Sequence, residues 1–228
     1  MDIYNLSPFV SSQFKQNTEL SQLLSSDFDL PADWLNYQQH TYLDLFSLLR
    51  KYRKSRLALI ASRDLLKQQH LETLKQVSAL ARLMIVAAYK AACTEIMDKF
   101  GTVHNNKGQA QSFIIFALGK LGGNELNYSS DVDLVFCYSG PGQADGKKSL
   151  DAQDYFTRLG RRIIQILDSF TSDGIVYRVD MRLRPFGSAA PLVCSTNNLL
   201  DYLEHEGRDW ERYAWLRASY VAGDQQLA

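Results

Sequence analysis

The sequence predicts an α+β fold, a mixed sheet set between a helical N-terminal region and a helical C-terminal tail. Three observations predict it. Apolar residues recur at helical spacing through most of the first hundred positions. Short apolar runs bounded by glycine follow, and a long amphipathic stretch then leads into a second alternating segment. The 228 residues are 46% hydrophobic and 22% charged, enough apolar surface to bury a core, which excludes a disordered chain. The boundaries read as a helical region over 1–110, a sheet-bearing core over 111–195 and the start of a further helical region over 196–228.

In the helical region, Pro8 and Pro31 are the only prolines, and the stretch from Leu35 to Phe100 meets its first break signal at Gly101. Leu45, Leu48, Leu49 and Tyr52 share a helical face, as do Leu57, Ile60, Leu65 and Leu66. Leu74, Val77, Leu80, Ala81, Met84, Ala88, Ala91 and Ala92 make a third such group. Eight basic residues against two acidic ones lie between Arg50 and Lys75, which reads as a solvated helical face.

From Gln111 the pattern changes. The run Ser112 to Leu118 ends at Gly119 and reads as a buried strand. A glycine-rich turn leads to a second strand, Asp131 to Tyr138, and then to a surface loop from Gly140 to Ser149. Phe156, Leu159, Ile163, Ile166, Leu167 and Phe170 make one face of an amphipathic helix. After the Asp173-Gly174 turn, Ile175 to Leu183 alternates as a strand ended by Pro185 and Gly187. Ser195 is an N-cap for helices running, with a break at Gly207, toward Val221.

Charge and targeting signals narrow the function. Lys plus Arg and Asp plus Glu both number 25, so the chain lacks the basic excess of a generic nucleic-acid binder. The apolar stretch Leu80 to Ala92 is broken by Arg82 and Lys90, too short and too charged to span a bilayer. The start Met1-Asp2-Ile3-Tyr4 lacks a secretory signal. Cys93, Cys137 and Cys194 are scattered thiols, forming neither a disulfide framework nor a zinc site, as expected of a reducing cytoplasm.

The chemistry gathers in Leu118 to Phe136. On a strand, Asp131 and Asp133 share one face while Val132, Leu134 and Phe136 take the other. Read alone, this is a pair of solvated acids at a strand edge. Two like charges at that spacing repel unless a cation or basic partner intervenes, and a hard oxygen donor set suits Mg²⁺. The preceding turn holds Gly119, Gly122 and Gly123, whose missing Cβ atoms let backbone approach a phosphate. It matches neither the P-loop nor the dinucleotide fingerprint. By the same period of two, Asp180, Arg182 and Arg184 share a face, an acid for metal and two guanidiniums for phosphate oxygens. Together these features are the grammar of a metal-dependent nucleotidyltransferase. Trp210, Tyr213 and Trp215, at helical spacing, read as core more readily than as an adenine platform.

The stretches GKLGGNELNYSSDVDLVF, DGIVYRVDMRLRPFG and GRDWERYAWLRA resemble the glutamine-synthetase adenylyltransferase/adenylyl-removing family, built on DNA polymerase β-like nucleotidyltransferase domains. A weaker likeness from Arg53 through Leu65 extends the resemblance into the helical region. It implies one of two such domains in a longer polypeptide, the first deadenylylating and the second adenylylating. The short helical region after Met1 and the motif Arg208-Asp209-Trp210-Glu211-Arg212-Tyr213 resemble the first. The implied reaction is phosphorolysis of adenylyl-tyrosine on glutamine synthetase, giving ADP and free tyrosine. Asp131, Asp133 and Asp180 are then catalytic and hold one or two Mg²⁺. Gly119, Lys120, Gly123, Ser130, Arg182 and Arg184 bind phosphate or nucleotide, Ser130 as a turn and hydrogen-bonding residue rather than a nucleophile. The implied partners are adenylylated glutamine synthetase, phosphate and ADP, with a PII-type protein reached through the full-length enzyme. Two alternatives stand: ATP-dependent adenylylation, and a non-catalytic fragment that recognises glutamine synthetase or a PII-type protein.

Overall fold

The computed structural model describes residues 7–17, 20, 42–67 and 70–227. Helix α1 (Pro8–Gln16) begins at Ser7, whose hydroxyl accepts the Val10 N–H, and buries Val10 and Phe14 against Ala58 and Leu59. Those two residues belong to α2 (Tyr42–Lys67), which is followed by α3 (His70–Phe100). Two long helices therefore carry the three apolar groups read from the sequence; the expected start at Leu35 lies outside the described residues. Leu57 and Ile60 are buried as expected, whereas Leu65 and Leu66 are exposed near the end of α2. Gly101 ends α3 at φ 75°, the left-handed conformation favoured for a helix stop.

By length and composition α3 could cross a bilayer, with a mean hydropathy of 1.4 over its most apolar window. Half of that window is buried inside the fold, so the apolarity is spent on the core. The reading from Leu80 to Ala92 saw only the middle of this helix.

Beyond α3, β1 (Val103–His104) leads to β2 (Phe113–Ala117), the single turn α4 (Gly119–Gly122) and β3 (Val132–Tyr138). Next come β4 (Gln143–Ala144), α5 (Ala152–Asp168), β5 (Val179–Asp180) and β6 (Val193–Ser195). The chain continues through α6 (Thr196–Asp201), one π-helical turn, α7 (Asp209–Trp215) and β7 (Ser219–Gly223). Strands β1 and β4 pair as a separate antiparallel ribbon at the rim of the predicted surface loop.

The main sheet is mixed. Strand β2 pairs antiparallel with β3 on one side and β7 on the other. The remaining edge of β3 is shared by two parallel partners, β5 beside Val132 and Asp133, and β6 beside Phe136 to Tyr138. One sheet face sends Phe113, Ile115, Val132, Leu134 and Phe136 under α3 and α5, whose apolar side follows the predicted periodicity as far as Leu167, while Phe170 lies beyond the helix and is exposed. The other sends Val135 and Cys137 toward Leu199, Leu203, Ala214 and Trp215. Asp133, alternating with Val132 and Leu134, belongs to this second face.

Three readings are corrected. The segment expected as one strand from Ile175 to Leu183 is a strand only at Val179–Asp180. The chain leaves the sheet through a turn in which Phe186 and Gly187 take φ 56° and 58°, and returns to the same edge of β3 at β6. The helices expected toward Val221 stop at Trp215, and 219–223 form strand β7, because the open edge of β2 offers a complete set of backbone partners. The basic helical face is not wholly solvated. Arg50 is fully buried, and its guanidinium donates to Gly174 O at 2.8 Å, Phe46 O at 3.0 Å, Ile166 O at 3.4 Å and Ser169 O. Ser195 does cap α6, accepting from Asn198 N.

Candidate active site

Strand β3 presents the two acids that its sequence period required. Asp131 stands just before the strand and Asp133 within it, and the parallel pairing with β5 puts Asp180 directly beside Asp133. Asp133 and Asp180 are therefore neighbours on two adjacent strands, with Asp131 just outside the sheet. Partial burial, then the charges of Asp180 and Asp131, push the Asp133 carboxyl above its usual range; Arg182 and Lys120 oppose the shift. Asp180 moves the other way. The Arg182 side chain holds it below the usual carboxylate range, and the Arg182 N–H also donates to Asp180 Oδ1 at 2.8 Å.

The glycine turn sits against this group. Gly119 has φ 55°, and a Cβ there would lie 2.4 Å from Asp133 Oδ2. Glycine is thus required both by backbone conformation and by close approach to the central carboxylate. Lys120, next in the turn, is exposed and near enough to Asp133 to lower its pKa. The other two glycines serve a different neighbour. A Cβ on Gly122 would come within 2.0 Å of Arg217 O and 2.8 Å of Ala117 O. Gly123 lies under the Arg217 guanidinium, which pairs with Glu125 at 2.5 Å. Because both atoms opposing Gly122 are backbone, Gly122→Ala is expected to cost about 1 to 3 kcal/mol of stability. Chemical denaturation with an unchanged slope and a lowered midpoint would measure it.

The arginines divide. Arg182 chelates Asp180 through its Nε, at 3.0 and 2.8 Å from the two oxygens. Arg184 turns back into its own loop and donates to Met181 O at 2.6 Å, Pro191 O at 3.2 Å and Ala190 O at 3.4 Å. The shared strand face expected for Asp180, Arg182 and Arg184 does not form, because the strand ends at Asp180. Ser130 is half-buried, its N–H donating to Asn127 O at 3.3 Å, and it lies beside Asp131 as expected.

One residue next to the site went without a role in the sequence reading. Arg178 pairs with Asp131 and donates to Ser129 O at 2.8 Å. Its signal was present, since a period of two places it with Asp180. Arg217 had no local signal, being far along the chain from the glycines that it covers. Trp215 packs edge-on against Phe116 as core. Trp210 and Tyr213 are exposed, which corrects the core reading for those two. Glu211 is buried instead, accepting from Tyr202 OH at 2.6 Å and from Arg208 N at 2.9 Å.

The sequence profile of the Glutamate-ammonia ligase adenylyltransferase family matches residues 1–228. The chain belongs to that family. Two of its relatives are the Bifunctional glutamine synthetase adenylyltransferase/adenylyl-removing enzymes of Xanthomonas campestris pv. campestris, strains ATCC 33913 and B100. Each is 46% identical over 177 residues, which are 77% of this chain and 19% of the relative. The chain thus matches about a fifth of the length of these adenylyltransferase relatives. The family consists of nucleotidyltransferases.

The donor set suits the divalent cation on which such enzymes typically depend. Asp133 and Asp180 on register-paired strands, with Asp131 just before β3, supply hard oxygens; the Asp133 carboxyl is raised by burial first and then by the charges of Asp180 and Asp131, which a cation would offset. The side chains are not gathered: among the described residues no three His, Cys, Asp or Glu groups converge as a metal-holding cluster. Asp131 is turned to Arg178 and Asp180 to Arg182, so cation binding would require both to turn inward.

Proposed function

We propose that this chain is the deadenylylating nucleotidyltransferase domain of its family, removing AMP from adenylyl-tyrosine on glutamine synthetase by phosphorolysis. The observation that carries the reading is the register pairing of Asp133 with Asp180, with Asp131 two residues away and Gly119 pressed against the central carboxylate. In the reaction a phosphate oxygen bonds to the adenylyl phosphorus, the bond to the tyrosine oxygen breaks, and that oxygen takes a proton. The products are ADP and free tyrosine.

Asp131, Asp133 and Asp180 would hold one or two Mg²⁺, which supply charge neutralisation for an in-line displacement. Lys120 and Arg182, exposed cations whose charges both act on Asp133, would hold and orient phosphate oxygens. Arg184 keeps the loop after Asp180 in place through its three carbonyl contacts. Gly119 brings the backbone close to the same oxygens, and Ser130 positions Asp131 from the turn.

The removing direction is supported by the nature of the nucleophile. Orthophosphate is already anionic and needs no strong base, whereas a tyrosine hydroxyl would. Among the described residues, His70 faces Asp64, His104 faces Asp145 and His205 faces Asp201 O, all remote from the carboxylates in the contacts they make. The likeness of Arg208 to Tyr213 to the removing half's closing motif points the same way. Glutamine synthetase as partner also implies a cytoplasmic setting.

The chain incubated with adenylylated glutamine synthetase, Mg²⁺ and orthophosphate is expected to release ADP. Label transferred from ATP to unmodified glutamine synthetase, with no phosphate-dependent ADP, would reverse the assignment. Binding without turnover in either assay would favour a recognition module for glutamine synthetase or a PII-type protein.

A further inference from the structure

The three cysteines read as scattered thiols are not all apart. Cys137 on β3 and Cys194 on β6 are register partners in the parallel pair, with Sγ atoms 3.7 Å from each other. Both are free thiols. We propose that Cys137 and Cys194 are an oxidation site, closing to a reversible disulfide when the chain meets a hydroperoxide.

The geometry supports closure without a change of fold. Adjacent strands run about 4.8 Å apart, inside the range of Cα separations that disulfides take. Register partners of a parallel pair also project from the same sheet face. The sulfurs must close from 3.7 Å to about 2 Å, a side-chain movement. The two thiols are unequal. Cys194 is half-buried, while Cys137 is fully buried. The contact with Cys137 holds the Cys194 thiol below its ordinary range, and the same contact together with burial pushes Cys137 up. Cys194 is thus the accessible thiolate-former and Cys137 the resolving partner. Cys93 offers a contrast, since burial pushes its thiol up to about 11.

The chemistry balances in two steps. The Cys194 thiolate attacks the hydroperoxide oxygen, gaining that oxygen as a sulfenic acid and releasing the alcohol, or water from hydrogen peroxide. Cys137 then attacks the sulfenic sulfur, the S–S bond forms, and the hydroxyl leaves as water with the Cys137 proton. Two thiols are oxidised and one peroxide bond is reduced.

The site matters because of what the ring encloses. The stretch between Cys137 and Cys194 contains α5, Asp180, Arg182 and Arg184, so the cross-link ties β6 to β3 and clamps the 181–192 segment that follows the third carboxylate.

Intact mass and peptide mapping after treatment of the reduced chain with hydrogen peroxide test the assignment. The wild type is expected to lose about 2 Da, yield a Cys137–Cys194 cross-linked peptide and revert with dithiothreitol. Cys93→Ser should behave identically, and Cys194→Ser should show no such loss. Amide exchange across 181–192 should slow in the oxidised chain and recover on reduction. A gain of about 32 Da at Cys194 with no cross-link would overturn the proposal. So would a bridge containing Cys93, an unreactive wild type, or exchange across 181–192 that ignores oxidation. The wild-type peptide map decides even where a variant does not fold.

Discussion

Asp133→Asn is expected to cut phosphate-dependent ADP release roughly a hundred- to a thousand-fold while leaving the fold at least as stable as the wild type. The two effects share one cause. Asp133 stands between Asp131 and Asp180, and its carboxyl is pushed up by burial and by both neighbours. Its negative charge is thus disfavoured by the fold, and a bound cation would offset that. Removing a single charge-stabilising group from a transition state costs roughly a hundred- to a thousand-fold in turnover. The stability effect follows from linkage. A carboxyl with a raised folded pKa favours the folded state while protonated, and that advantage is lost as pH rises from the ordinary carboxylate range through the raised value. The asparagine variant lacks the loss, so its melting temperature should match the wild type in acid and equal or exceed it at neutral pH. Asp180 has the opposite sign. Its pKa is lowered by Arg182, so the stability from that pair is present above the ordinary range and lost as pH falls through the lowered value. ADP-release assays and thermal melts across pH measure all three behaviours. Undiminished turnover in Asp133→Asn would remove the carboxylate from the mechanism.

Arg50→Met should unfold the chain at lower denaturant, losing about 1 to 3 kcal/mol, the scale seen when buried acceptors lose their donor. Arg50 is fully buried in α2 and ties together the end of α5, through Ile166 O and Ser169 O, and the following turn, through Gly174 O. Burial lowers its pKa and nearby Asp173 raises it. Asp173 is itself held by the Ser47 hydroxyl at 2.6 Å, one helical turn before Arg50. Methionine fills the volume but leaves these carbonyls without their donor. The consequence reaches the site. The end of α5 accepts the N–H groups of Val176 and Tyr177 at Leu167 O, and from there the chain enters β5 and Asp180. Arg50→Lys should fall between wild type and methionine, because an ammonium cannot span the same set of acceptors. Urea denaturation gives the loss, and a change under about 1 kcal/mol, the worth of an ordinary exposed pair, would contradict the anchoring role.

Legibility in the sequence followed the range of the interactions. Asp133 was readable on its strand because alternation sets it opposite Val132 and Leu134, whereas Asp131 stands just before the strand and turns to Arg178. Helix α5 was readable from its apolar stripe, Ser195 as a cap from its chemistry, and Gly101 as a stop from its conformational freedom. The strand expected through Leu183 failed where its neighbours took over. Alternation continued in the letters, but Arg182 folded back to Asp180 and Arg184 to three loop carbonyls, so the chain left the sheet. Strand β7 was missed because its helical-looking residues meet the unpaired edge of β2, more than a hundred positions earlier.

The sequence by itself determined the fold class, the family likeness and the residue types proposed for the site, since each depends on short-range periodicity or on a contiguous motif. The tertiary structure alone decided the rest. It set Asp180 beside Asp133, buried Arg50 against the turn before β5, laid Arg217 over the glycines, and brought Cys137 and Cys194 together. Each of these joins residues from separate stretches of the chain, through strand register or a buried side chain reaching backbone carbonyls. Local spacing carries no record of either.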